Sequence, residues 1–77
     1  HLPRLKCTFR EFIDILLRHG FVEQRVAKGS HRRYRGVIDG QVRFVTVAPH
    51  NINDDIKPGT LKAMIRQSGL PESLFRK

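Results

Sequence analysis

Residues 31–47 read HRRYRGVIDGQVRFVTV. Two runs rich in valine, isoleucine and aromatic residues flank the pair Asp39 and Gly40. An Asp-Gly pair between two such runs is typical of a two-residue β-hairpin turn. The stretch therefore predicts one strand at residues 31–38 and another at residues 41–47, joined by a tight turn.

Another strand and a helix are predicted upstream of this hairpin. Residues 21–27 contain valines and alternate in part, which favours a strand, and the Lys-Gly-Ser triplet that follows favours a turn. Thr8 and Glu11 fit a capping box at the start of a helix over residues 8–19, which Gly20 ends. An apolar stripe at helical spacing marks the face expected to be buried: Phe9, Phe12, Ile13, Leu16 and Leu17.

A second helix is predicted after a polar loop at residues 48–57. Its apolar residues recur at helical spacing: Leu61, Met64 and Ile65. Pro58 suits the first turn and Gly69 suits the end. Asp54 or Asp55 is the expected N-cap.

The predicted order is α-β-β-β-α, with a short helical turn expected at residues 71–77. We expect an α+β fold in which two helices pack on one face of a three-stranded antiparallel sheet and leave the other face open. This arrangement is similar to that of a double-stranded-RNA-binding domain (dsRBD-like), although fold analogy alone does not establish function. Residues 1–77 contain no repeats and no internal linker, so a single domain is expected.

The chain is strongly basic. It has 15 Lys and Arg residues against 7 Asp and Glu residues, a net charge of +8 and a pI of 10.9. Such a charge attracts polyanions through phosphate contacts and counterion release. Nucleic acid, an anionic membrane or an acidic protein would fit, and a basic domain without a polyanionic partner is the alternative.

The cysteine count disfavours a disulfide-bonded or zinc-binding protein, and the hydropathy disfavours a membrane-spanning one. Cys7 is the single cysteine, which leaves no internal disulfide and no zinc framework, so a reducing, cytoplasmic location is expected. We expect Cys7 to be a buried thiol rather than a nucleophile. No apolar run approaches the ~18 residues of a membrane span and no signal-peptide pattern is present. A membrane partner is not expected either, because the apolar stripe of the first helix is needed for the core.

Side-chain alternation predicts which face each residue of the strand at residues 31–38 occupies. The odd positions share one face: His31, Arg33 and Arg35. The even positions share the other: Arg32, Tyr34 and Ile38. Since Tyr34 and Ile38 suit a core, the odd face is expected to be the open one. The next strand is expected to add Val45 and Val47 to the core and Phe44 and Thr46 to the open face.

The histidine in the basic run KGSHRRYR, at residues 28–35, is a candidate catalytic residue. Histidine exchanges a proton near neutrality, and neighbouring cations bind phosphates and stabilise charge that develops in the transition state. RNA carries its own nucleophile, the 2′-hydroxyl, so a base beside such cations can cleave it without a metal. An exposed histidine in a solvated basic patch accounts for the same residues, and the pattern alone leaves both interpretations open.

His31 is thus the candidate general base or acid. The candidate RNA-binding residues surround it: Lys28, Gly29, Ser30, Arg32, Arg33 and Arg35. Glycine permits a close backbone approach, and N–H groups of the turn can bind oxyanions. Arg32 starts on the inner face and would reach the surface by snorkelling.

Three stretches carry a resemblance to a known family. Gly-Ser-His-Arg at residues 29–32, VTVAPH at residues 45–50 and DIKPGTLKAMIRQSGL at residues 55–70 resemble the HicA family of bacterial toxins. The resemblance implies a small mRNA interferase of a type II toxin–antitoxin system, with a dsRBD-like fold and with His31 as the catalytic residue. It also implies a HicB-type antitoxin that binds the toxin and masks its active site.

Other polar residues have weaker functional interpretations. His50 is a candidate auxiliary acid or phosphate contact, and a loop histidine bonded to the backbone is the alternative. His19 is expected to be structural, at the end of the first helix. Asp54 and Asp55 could ligate a metal ion, but the sequence offers no third ligand beside them, so no metal is expected. No cofactor is expected either.

Three exposed positions leave alternatives open. Lys62 and Arg66 on the second helix either extend an RNA track or solvate that face, and Phe44 suits either stacking on a base or contact with another chain. Together with these residues, the resemblance to the HicA family implies a metal-independent endoribonuclease that cleaves single-stranded mRNA and arrests growth. The alternatives are a non-catalytic RNA-binding module of the same fold and a protein-interaction domain with an acidic partner.

Overall fold

The computed structural model describes residues 5–24, 31–49 and 51–76. Its elements are helix α1 (Phe9–Arg18), strands β1 (Val22–Gln24), β2 (Arg32–Ile38) and β3 (Gln41–Val47), helix α2 (Pro58–Ser68) and a short 3₁₀ helix (Glu72–Phe75). The predicted α-β-β-β-α order and the α+β class are confirmed. Three predicted features lie outside the described residues: the end of the first strand at residues 25–27, the turn at residues 28–30, and His50.

The three strands form one antiparallel sheet in the order β1-β2-β3. The turn between β2 and β3 has φ values of 53° at Asp39 and 78° at Gly40. The favoured two-residue hairpin turn needs positive φ at both central residues, which explains the Asp-Gly pair. The turn sets a register in which Tyr34 pairs with Val45, so these two buried side chains lie on the same side of the sheet.

Both helices pack on that side of the sheet, around one hydrophobic core. Its buried members are Cys7, Phe12, Ile13, Leu16, Phe21, Tyr34, Val45, Val47, Ile56, Leu61, Met64, Ile65, Leu70 and Phe75. Cys7 is buried as predicted, and so are Tyr34, Val45 and Val47. Ile38, also predicted as a core residue, is only partly buried at the margin.

Helix α1 begins with the predicted capping box. The Thr8 hydroxyl accepts from the Glu11 backbone N–H at 3.1 Å, and the Glu11 carboxylate accepts from the Thr8 backbone N–H at 3.0 Å. The prediction that Leu17 belongs to the buried stripe is wrong, because this side chain is 51% exposed. Phe12, Ile13 and Leu16 already fill the face that meets the core, and Leu17 lies at its margin.

Helix α2 begins at Pro58, two or more residues after the position that an N-cap at Asp54 or Asp55 would give. Lys57 is the N-cap residue and makes no side-chain capping bond, so the predicted cap at Asp54 or Asp55 is wrong. The chain before α2 instead pairs with the chain before α1: Thr8 and Asp55 form an antiparallel bridge, and the Phe9 N–H donates to the Asp54 carbonyl at 3.1 Å. Because α2 begins at Pro58, Asp55 lies two residues before the N-cap position and Asp54 three residues before it, so neither side chain caps the helix.

The end of α2 agrees with the prediction. Gly69 is in the left-handed region with φ 72°, and a Cβ there would lie 2.9 Å from Arg43 Nε. The buried Ser68 hydroxyl donates to the Ile65 carbonyl at 2.6 Å and accepts from the Leu70 N–H at 3.1 Å. These two bonds satisfy the hydroxyl inside the core and direct Leu70 inward.

Gly36 is the point where β2 meets the ring of Phe21. A Cβ added at Gly36 would lie 2.7 Å from carbons of that ring, and Phe21 is only 2% exposed. We expect Gly36→Ala to lower the free energy of unfolding by about 1–3 kcal/mol, the usual cost of overpacking. Urea denaturation measures this change.

Gly59→Ala is the matched control. A Cβ at Gly59 would meet no atom within 4 Å, and alanine is the better helix former in the first turn of α2. Its free energy of unfolding should equal or slightly exceed that of the parent. If Gly36→Ala were as stable as Gly59→Ala, the contact with Phe21 would not constrain β2.

Candidate nucleic-acid interface

Alternate residues of the three strands point away from the helices and form what we call the open face. Its residues are Val22, Gln24, Arg33, Arg35, Val37, Val42, Phe44 and Thr46. Every one of them is exposed, whereas the intervening Tyr34, Gly36, Val45 and Val47 are buried. The predicted separation of the arginines from the core is confirmed for Arg33 and Arg35.

Two cross-strand rows organise the open face. Val22, Arg35 and Phe44 lie opposite one another across the sheet, and Gln24, Arg33 and Thr46 form the next row. Arg33 and Phe44 are therefore diagonal neighbours, which long side chains can bridge. The Arg33 guanidinium carbon lies 4.2 Å from the centre of the Phe44 ring, a cation–π contact.

His31 lies directly before β2 and is exposed. The next residue, Arg32, pairs with Val47 at the end of β3, so His31 is at the border of the sheet where both strands meet the loops. Arg33 follows two residues later, ~7 Å along an extended strand. The structure thus brings His31 to the same end of the sheet as the Arg33 row.

Arg32 has different surroundings from Arg33. It lies on the helix side of β2, beside Tyr34, and it is exposed at the strand end as expected for a snorkelling side chain. The Tyr34 hydroxyl donates to a Glu23 carboxylate oxygen at 2.9 Å. Sequence reasoning missed this hydrogen bond, although Glu23 and Tyr34 are direct partners in the β1–β2 register.

The pKa of Tyr34 is raised above its ordinary value of 10.0. Burial of the phenol is the main cause, and the hydrogen bond to the Glu23 carboxylate adds to it. The nearby Arg32 guanidinium acts in the opposite direction and does not outweigh them. Tyr34 is therefore a neutral hydrogen-bond donor at physiological pH.

The structure brings only some of the predicted site residues together. Arg33 and Arg35 share the open face, Arg32 lies on the other side of the same strand, and His31 precedes it. The remaining candidates lie outside the described residues: Lys28, Gly29, Ser30 and His50. Their roles stay predictions.

The helix layer meets the open face at His19, which lines a groove of about 390 Å³ together with Arg35. His19 is the C-cap of α1, where its Nδ1 lies 2.9 Å from the Ile15 carbonyl oxygen, in line with the predicted structural role. Lys62 and Arg66 are exposed on α2 and line a groove of about 360 Å³ together with Glu72. These two cations are on the helix layer, so they do not continue the row of Arg33 and Arg35.

The described residues contain neither a cluster of metal-ligating side chains nor a membrane-spanning helix. Residues 5–24, 31–49 and 51–76 contain no group of three or more histidine, cysteine, aspartate or glutamate side chains that could hold a metal ion. No helix in the same part of the chain is long and apolar enough to cross a membrane.

Comparison with known proteins gives one match. The model of a protein family described as "HicA toxin of bacterial toxin-antitoxin" matches residues 9–70. Neither the curated proteins nor the solved structures gave a significant match. The matched residues run from the first residue of α1 to just beyond α2 and include His31, the whole β2–β3 hairpin and both arginines of the open face.

The raised pKa of Tyr34 predicts a pH dependence of stability. Because the folded state holds the phenolic proton more tightly than the unfolded state does, this stabilisation is fully present below pH 10.0, the unfolded value. It is lost as the pH rises through the folded-state pKa. We expect the parent to lose more stability above pH 10.0 than Tyr34→Phe does, as measured by urea denaturation.

A direct titration checks the same point. Tyr34 is the single tyrosine and there is no tryptophan, so ultraviolet absorbance of tyrosinate reports Tyr34 alone. The folded protein should titrate at higher pH than the same chain in denaturant. Coincident titration curves would contradict the assigned surroundings of the hydroxyl.

Proposed function

The chain belongs to the HicA toxin family of bacterial toxin–antitoxin systems, and from this we propose that it is a metal-independent endoribonuclease that cleaves mRNA. The observation that carries the proposal is the family match over residues 9–70, which includes His31. The exposure of His31 beside the arginines of β2 supports it. The toxin would act in a type II pair and arrest growth under stress.

In the proposed reaction His31 acts as the general base. It takes the proton of a ribose 2′-hydroxyl, and the 2′-oxygen attacks the adjacent phosphorus. The bond from phosphorus to the 5′-oxygen breaks, and this oxygen receives a proton from solvent or from the protonated imidazole. The products are a 2′,3′-cyclic phosphate, which hydrolysis opens to a 3′-phosphate, and a 5′-hydroxyl end.

The neighbouring cations would bind the substrate and stabilise the transition state. Arg33 and Arg35 share the open face with no acidic residue among its members, so their charges are available to phosphates. Arg32 would contribute from the strand end. The turn residues Lys28, Gly29 and Ser30 would hold the phosphate nearest to His31, with His50 as an auxiliary contact.

The proposed partners follow from the family and the charge. Membership of a toxin–antitoxin family implies an antitoxin, and we propose a HicB-type protein that masks His31 by occupying the basic face. The site of action would be the cytoplasm, where mRNA is found. We propose further that residues 1–77 act as one domain, without a cofactor and without a membrane partner.

Replacement of His31 tests the catalytic assignment. We expect the purified parent to cleave a long unstructured RNA in EDTA, and His31→Ala to cleave it about 10²- to 10⁴-fold more slowly, the usual contribution of a general base. RNA affinity should be retained, because the arginines of β2 remain. Analysis of the fragments should find 2′,3′-cyclic phosphate or 3′-phosphate ends.

His19→Ala is the matched control for loss of an exposed histidine, here at the C-cap of α1. Because His19 lines a groove with Arg35, the comparison uses the cleavage rate at saturating RNA, which should equal that of the parent. Equal weak cleavage by the parent and His31→Ala would indicate a contaminating nuclease. RNA binding without cleavage by the parent would contradict the enzyme and favour the non-catalytic RNA-binding module.

Salt dependence tests the role of the open-face arginines. Arg35→Gln should reduce the slope of log affinity for RNA against log salt concentration by roughly 1, since one phosphate contact is lost. Arg18→Gln is the control, because Arg18 is on α1 and pairs with Asp14 at 3.0 Å. Equal slopes for the two variants would contradict a phosphate contact at Arg35. Fluorescence anisotropy with a labelled RNA, repeated at several salt concentrations, measures the slope for each variant.

A further inference from the structure

The aromatic ring of Phe44 lies on the open face, on the side of the sheet away from the hydrophobic core. Its side chain is 41% exposed in the middle of β3, and it does not belong to the hydrophobic core. Exposed apolar residues scattered singly are common, but a contiguous exposed patch marks a binding surface. Phe44 adjoins such a patch, since Val37 and Val42 on the same face are 53% and 48% exposed.

The contact with Arg33 gives this ring a specific geometry. With 4.2 Å between the guanidinium carbon and the ring centre, the cation lies over the ring. A guanidinium is planar, so while one plane covers Phe44 the other remains for a second flat partner. Nucleobases stack on aromatic rings and on arginine planes in this way.

The position of the pair on the open face favours RNA over a protein as its ligand. Arg33 and Phe44 lie in the two rows nearest to His31, whereas Val37 and Val42 pair with each other nearer to the β2–β3 turn. The row of Phe44 is four residues along the strand from His31, or ~13 Å. An extended RNA strand covers this distance in a few nucleotides, and the cations beside the ring attract its phosphates.

We propose that Arg33 and Phe44 form a stacking platform for one unpaired nucleobase of the RNA, a few nucleotides from the phosphate that His31 acts on. The link to the reacting phosphate rests on the proposed function, whereas the platform itself rests on the geometry of the open face. Since a base inside a duplex has no free plane, the platform selects single-stranded RNA. Stacking is tolerant of base identity, so it adds affinity rather than strict sequence preference.

The first test measures binding without cleavage. All proteins carry His31→Ala, so that the RNA stays intact. A labelled, unstructured oligoribonucleotide is titrated at one salt concentration with this variant and with the same variant carrying a substitution at position 44. Phe44→Ala should weaken binding roughly tenfold, in the range seen for loss of one base stack. Phe44→Trp should restore the affinity, and Phe44→Leu should not, because leucine is apolar but cannot stack.

Val42→Ala is the matched control on the same strand and the same face, and it should leave RNA affinity unchanged. Circular dichroism should show that each variant is folded, because Phe44 is outside the core. Restoration by leucine, or an equal loss with Val42→Ala, would overturn the platform and indicate a general apolar contact with the RNA. Unchanged affinity in Phe44→Ala would overturn it outright.

A second test locates the base. Abasic nucleotides are placed one at a time along the oligoribonucleotide, which keeps every phosphate and removes one base. One position should cost the protein with Phe44 roughly tenfold in affinity, and Phe44→Ala should show no loss there. If every abasic position cost both proteins the same, no base would be stacked on the platform of Arg33 and Phe44.

The platform and the endoribonuclease can fail separately. If the parent does not cleave RNA but its affinity depends on an aromatic ring at position 44, the platform stands and the enzyme is contradicted. If the parent cleaves RNA and Phe44→Ala has the same KM, the enzyme stands and the platform is overturned. If the parent cleaves RNA and Phe44→Ala raises KM with little change in kcat, both the platform and the endoribonuclease are supported.

Discussion

The register between β2 and β3 is the constraint on which the rest of the structure depends. In this register Tyr34 and Gly36 face the helices, while Arg33 and Arg35 face away from them. A shift of one residue would exchange the two sides, placing guanidinium groups in the core at a cost of several kcal/mol each unless paired. The Asp-Gly turn and the burial of Tyr34 in β2 and Val45 in β3 favour the same pairing of the two strands. The hydrophobic side and the basic side of the sheet are therefore two results of one register.

The segment at residues 55–70, which carries much of the family resemblance, serves the fold in the described structure. Leu61 and Ile65 are buried in the core, the Ser68 hydroxyl bonds the backbone at the helix end, and Gly69 supplies a left-handed residue against Arg43. These contacts hold α2 on the sheet side opposite the open face. The functional proposal depends instead on His31 and the strand that follows it.

Adjacent arginines in β2 are not equivalent. Arg32 lies beside Tyr34, whose hydroxyl donates to the Glu23 carboxylate, so an acidic group is close to it. Arg33 lies over the ring of Phe44 on a face without acidic residues. Alternation along the strand separates their surroundings although they are neighbours in the chain. A long polyanion needs an open surface rather than an enclosed cavity, and the side of β2 that carries Arg33 provides one.

Local sequence patterns alone determined the hairpin with its Asp-Gly turn, the capping box at Thr8, the end of α2 at Gly69 and the sides of the sheet that Tyr34 and Arg33 occupy. Each of these depends on backbone preferences or on alternation within a few residues. Only the tertiary structure decided that Asp54 and Asp55 pair with the chain before α1 instead of capping α2, and that Leu17 is exposed. It also decided that the Arg33 guanidinium lies over Phe44, a contact between two strands. Such features depend on which distant segments meet and on how much of a helix face the core can accept, and spacing along the chain does not encode either.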